Sequence, residues 1–363
     1  MTHAGLRSAL RARPVAAFGR YERTLFAVTA LASISWCVAS HAAENKYWDV
    51  SPYAVHLSLA VDDARRPGVV SESDLAEAIT QRVDASVRPL WSFVLASGDA
   101  APLTENLAAG PLAWEDLPPS LRQYDKVMRL SVEATAIGFR LSCDEYDVYT
   151  RRSGPLHERT VRQPLILAEQ CFQLVRDCFS PLAIVESLRD EKDRVRLTFK
   201  GAALPQVSGD PLASAFDKPY QPVLRRTNRS GELRTGGLVD LPWTLLQIED
   251  QADDGWTARV DSGINRPFGV RRRGLVEQLA IAVSRPLQST DVRLHARTDR
   301  KQALAGYEVF ARPSPEVAPA LVGVSDSRGI ARIPAALGPV TTLFSRSEGQ
   351  LLAKVPVAPG STQ

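Results

Sequence analysis

The chain has 363 residues, 44% hydrophobic and 23% charged, with 25 Pro and 22 Gly. That is enough apolar material for two or three packed domains and excludes wholesale disorder. Four Cys exclude a disulfide-stapled miniprotein, and two Met and five His leave little material for a metal cage.

The formal net charge of +3 is uneven along the chain. Arg7, Arg11, Arg13, Arg20 and Arg23 precede an uncharged 17-residue run from Thr24 to Ser40, and a polar stretch follows. A basic region, an apolar run and the small-x-small triplet Ser40-His41-Ala42 make a secretory signal, with cleavage expected after Ala42. Two alternatives stay open. The run is at the lower edge of what spans a bilayer of roughly 30 Å, so an uncleaved anchor is one. A lipoprotein on Cys37 is the other, although Trp36 occupies the place where such signals want a small residue. Removing five Arg and Glu22 takes 44 basic and 41 acidic residues to 39 and 40, so the mature net charge is −1. Overall charge then gives no argument for nucleic acid.

The mature chain is expected to be an α+β multidomain protein. Residues 43–201 read as an α/β layer, β-α-β and then β-hairpin-α-β-β. The alternation YAVHLSLAV from Tyr53 predicts a strand. Ser71 to Asp74 offers a helix cap, followed by Leu75, Ile79, Val83 and Val87 at four-residue spacing. Pro89 stops that helix and LWSFVLA begins a second strand. DKVMRLSVEA and IGFRLSCDEYDVYTRR alternate as a hairpin, and LILAEQCFQLVRDCF carries a broad helical stripe. The strands IVESLRD and RVRLTFKG close the unit.

Residues 202–288 follow a Pro, Gly, Ala and Ser boundary and predict a small β-barrel-like domain, with a hairpin turn at Asn228 to Gly231. Trp243 and Trp256 are expected in its core. Residues 289–363 hold five or more short strands with turns every 8–12 residues, as a β-sandwich does. Gly329 is expected to take the positive φ of a tight hairpin, with Asp326 capping the turn.

The stretch Leu304-Ala305-Gly306-Tyr307-Glu308-Val309, followed by Gly323-Val324-Ser325-Asp326-Ser327-Arg328-Gly329, resembles the carboxypeptidase regulatory-like family. Ser325 stands where that family often has Thr. The resemblance implies a transthyretin-like β-sandwich and a non-catalytic module of secreted proteins. In layout the whole chain is similar to exported bacterial proteins of unassigned function. Its order of domains resembles that of periplasmic assembly-accessory proteins of outer-membrane machines.

Chemistry-bearing clusters are few. Asp62 and Asp63 end the first strand, where open α/β sheets place ligands. With Asp144, Glu145 and Asp147 they would offer Mg²⁺ or Ca²⁺ a hard-cation site, and a solvated turn is the plainer alternative. There is no HExxH, G-x-S-x-G, Walker A or G-x-G-x-x-G pattern. Cys171 and Cys178 lie about 10.5 Å apart along a helix, too far to pair with each other. Either could pair with Cys143, or all three are packed thiols. Arg225, Arg226, Arg229 and Arg234 surround one hairpin, and Arg271, Arg272 and Arg273 a loop. They predict a positive edge, with poor aromatic interleaving for nucleic acid.

The expectation is an exported, non-catalytic binding or assembly protein with no cofactor, whose partner is a protein or an anionic envelope component and not nucleic acid. A secreted metal-assisted hydrolase built around Asp62 and Asp63 is the alternative. A membrane-tethered structural protein follows if the leader stays on.

Overall fold

The alternation from Tyr53 forms strand β1 (Tyr53–Asp62), and Ser71 caps helix α1 (Glu72–Ser86) by accepting from the Asp74 amide. Helix α1 then crosses over to β2 (Trp91–Ser97), which pairs parallel with β1. These features come from a computed structural model. It describes residues 47–361 apart from 66–67, 99–100, 102, 104–109, 189–190, 206–210, 253–254 and 269–274. The expected leader and anchor lie outside the described residues, as do Arg271, Arg272 and Arg273. Among the described residues no helix is long and apolar enough to cross a membrane.

Strands β3 (Lys126–Thr135) and β4 (Gly138–Asp147) form the expected hairpin, and β3 runs parallel to β1 on the side away from β2. Short β5 (Arg152–Ser153) and β6 (His157–Val161) pair with β4. Helix α2 (Leu167–Cys178) buries Leu167, Cys171, Phe172, Leu174, Val175 and Cys178. One face of β1, made by Tyr53, Val55, Leu57 and Leu59, packs into the main core. The other face is also covered: residues of the loop before β3, among them Leu112, Leu117 and Leu121, make a second core with Val127 and Tyr146. His56 is therefore buried against Tyr124, and burial lowers its pKa.

The expected fold class does not hold. Strands β7 (Leu182–Ser187) and β8 (Arg194–Phe199), assigned from sequence to the α/β layer, are staves of a barrel. The barrel's other strands are β9 (Pro219–Thr227), β11 (Thr244–Ala252), β12 (Gly255–Ser262) and β13 (Leu275–Ala282). The ring runs β9-β11-β12-β8-β7-β13 and closes through eight β13–β9 register pairs, with β10 (Leu233–Asp240) pairing β9 outside it. Closure removes the edges an open sheet would expose. The molecule is mostly β around this six-stranded barrel, with two α-helices among the described residues, rather than a layered α+β protein. One continuous core joins the first sheet, both helices and the barrel. Tyr53 links them directly: its hydroxyl donates to Leu182 O at 3.1 Å and accepts from Leu182 N at 2.9 Å.

The C-terminal part also departs from expectation. A four-stranded sheet, β16 (Ala320–Val324), β15 (Glu308–Arg312), β18 (Thr341–Ser347) and β19 (Gln350–Val357), faces a two-stranded ribbon of β14 (Ser289–Arg293) and β17 (Ile330–Pro334). It is not a transthyretin-like sandwich. Its own small core holds Val309, Ala311, Ala331, Ile333 and Leu343.

Candidate functional site

The β4 acids divide between the two faces of the strand, Asp144 on one and Glu145 and Asp147 on the other, and the opposing β3 supplies cations in register. Lys126 lies opposite Asp147, and Arg129 opposite Asp144. Lys126 is fully buried and bonds Glu145 Oε1 at 2.9 Å, Asp147 Oδ2 at 2.8 Å and Ser180 O at 2.5 Å. Burial alone would push its ammonium pKa down, but the two carboxylates outweigh that and hold it above the usual lysine value. Burial raises the Glu145 carboxyl, against the pull of Lys126. Arg129 clasps Asp144 through both carboxylate oxygens.

These acids are therefore committed to cations and not to a metal. Asp62 lies opposite Glu133, at the far end of β3 from Arg129 and Asp144. Asp62 Oδ1 accepts from the Ala64 amide and Asp63 Oδ2 from the Gly68 amide, both at 3.1 Å, so both carboxylates cap an exposed loop. Among the described residues no group of three His, Cys, Asp or Glu side chains could hold a metal ion. Cys143, Cys171 and Cys178 are buried thiols, and Cys178 Sγ donates to Cys143 O at 3.4 Å. Burial pushes Cys171 up to about 12 and Cys178 well above its usual value, which keeps both protonated and poor nucleophiles.

The arginine edge divides. Arg225 turns inward, bonding Glu277 at 2.9 Å and lying 4.3 Å from the Tyr149 ring. Arg226, Arg229 and Arg234 are exposed around the β9–β10 hairpin. The Asn228 turn forms there, with Asn228 Oδ1 accepting from the Ser230 and Glu232 amides.

Sequence reasoning missed a cavity among the described residues. A cavity of about 680 Å³ opens where the first sheet, the barrel and the C-terminal ribbon meet. Its size is typical of ligand sites, and junctions between structural units are where such sites concentrate. Glu145 and Ser180 line it from the first sheet's side, Leu245 and Ile281 from the barrel, and Thr290 to Arg293 from β14. Arg152, its pKa lowered by burial, forms an ion pair with Asp240 at the lining. Ser361 is 2% exposed, and its hydroxyl is a buried side-chain oxygen with no hydrogen-bond partner.

Trp243 corrects another expectation. It is not core but 58% exposed, and it lines this cavity with φ at +52°. A bulky residue in the left-handed region is strained, and such strain concentrates at functional sites. Trp256, by contrast, is buried and packs edge-on against Phe199 at 4.9 Å.

No family model matches the chain, and no curated protein matches it. A solved structure of TolB from Acinetobacter baumannii is similar over 85% of this chain and 83% of that one, at 12% identity and a TM-score of 0.22. A likeness that slight carries neither a fold nor a function.

Proposed function

We propose that this is an exported, non-catalytic binding protein that seats its ligand in the cleft beside Trp243, the partner being a protein or an anionic component of the envelope. The observation that carries this reading is the cavity itself. Three structural units build it, a strained and exposed tryptophan lies on its wall, and a buried serine hydroxyl there lacks a partner. An exposed indole at a concave surface is the kind of side chain that dominates binding energy when covered. Export is supported by the basic and apolar leader and the Ser40-His41-Ala42 triplet.

The test is site-specific photocrosslinking in the native envelope. A photoreactive amino acid replaces Trp243, and in a control protein it replaces exposed Arg65. The expected result is one saturable adduct from position 243 alone, competed away by unmodified protein, with the purified chain beginning at Ala43. No adduct, or the same adducts from both positions, overturns the cleft. A chain beginning upstream of Thr24 overturns release from the membrane.

A further inference from the structure

Among the described residues strand β14 has one partner strand, β17. Ala335 N donates to Gln288 O at 2.9 Å before the strand, and Leu294 N donates to Gly329 O at 2.7 Å after it. Even-numbered residues therefore turn their main-chain groups toward β17, because the pairing repeats every second residue in an antiparallel ladder. Asp291 and Arg293 turn theirs to the outer edge, where no strand pairs with them among the described residues. That edge faces the cavity. Thr290, Asp291, Val292 and Arg293 all line it, and four consecutive residues can do so only from an edge, since one face would present alternate residues.

The same outer edge already takes a main-chain partner at its start. Leu287 N donates to Gly360 O at 2.9 Å, and the Thr290 hydroxyl both donates to Ser361 O and accepts from Gly360 N. Beyond that tail no main-chain partner meets the edge among the described residues. The Ser361 hydroxyl lies beside the changeover, buried and unpartnered.

We infer that the cleft takes an extended polypeptide segment of a partner protein, added as a strand to the outer edge of β14. This rests on the cleft being the binding site. The chemistry selects the occupant. Asp291 and Arg293 present two N–H and two C=O groups at a two-residue spacing of about 6.6–6.8 Å, which another strand matches group for group. An anionic headgroup would satisfy the donors and leave the carbonyls wanting. The lining also carries both signs, Asp291 and Asp240 with Arg293 and Arg152, so it sets up no net attraction for an anion. Apolar Leu245, Ile281 and Val357 take side chains from the face of the incoming strand that turns inward.

The experiment uses the mature chain and a displayed library of random peptides about twelve residues long. The strongest binder is synthesised, and its affinity is read by fluorescence anisotropy. Each peptide N–H is then methylated in turn. Strand addition predicts a loss of about tenfold at alternate positions and little change between them. Asp291→Pro removes an outward donor without breaking a bond to β17, and should weaken the peptide about tenfold or more. Asp291→Asn keeps the donor and drops only the exposed pair with Arg332, so it should bind like the parent. If Asp291→Pro does not fold, the methylation series, which uses the unaltered protein, decides alone. A binder weakened by Trp243→Ala but showing no alternation in the series overturns strand addition and leaves the cleft standing. No binder, or one indifferent to Trp243→Ala, overturns strand addition in this cleft.

Discussion

Lys126 shows how much of the interior chemistry depends on a single side chain. Its fully buried ammonium is the shared cation for Glu145 and Asp147. A buried pair often adds little over an apolar replacement, but removing one partner leaves the other charge stranded. Lys126→Met strands two carboxylates and should cost about 3–5 kcal/mol, read from urea unfolding. Trp243 predicts the opposite sign. Trp243→Gly relaxes the left-handed backbone and should gain about 1 kcal/mol of stability while weakening whatever the cleft binds. A loss of stability would show that the indole is there for packing. Neither role was legible in the sequence. The acids of the CDEYD run read as part of a metal site because their cations lie across a hairpin. Trp243 sits in an LPWT stretch with no glycine to announce a positive φ.

At the scale of elements, local grammar was readable where both partners are close in sequence. The Ser71 cap, the stop at Pro89 and the Asn228 turn follow from short-range chemistry, and all three form. The tight turn at Gly329 also forms, with φ at +75° and Leu294 O too close to admit a Cβ, but the strands it joins pair with β15 and β14 and not with each other as a hairpin. Asp326 Oδ1 accepts from the Arg328 and Ile330 amides at 2.8 Å, and these bonds hold its carboxyl below the usual aspartate value. A folded pKa below the unfolded one stabilises the fold above the unfolded value, near 3.8, and that contribution disappears as pH falls through the lower, folded pKa. The turn between β16 and β17 should therefore loosen in strong acid, seen as faster amide exchange at Arg328 and Ile330. Asp326→Asn should flatten that acid response. Barrel membership was not readable in the same way. IVESLRD and RVRLTFKG look alike whether they pair with a preceding sheet or with strands about sixty to a hundred residues on. The Trp256↔Leu197 register is what decides it.

For the molecule as a whole, shared cores define what should melt together. The first sheet, both helices and the barrel make one cluster, while the C-terminal strands enclose their own. Calorimetry should resolve two transitions. Leu279→Ala, at a residue 1% exposed on β13, should lower the barrel transition by about 2–5 kcal/mol and leave the other nearly unchanged. A single transition shifted as a unit would mean that the interface across the cleft couples the two cores. The cleft itself could not be anticipated from the sequence. Its walls come from residues as far apart as Glu145 and Ser361, and no local pattern marks residues that meet only after three sheets have assembled.

Barrel closure has a consequence in time. Strand β8 pairs with β12, and β9 with β13, so the ring cannot shut until the ribosome has made most of the chain. Contacts of such long range slow folding toward milliseconds to seconds. During that interval the edges of β8 and β9 stand open, and another chain can pair with them before β12 and β13 arrive.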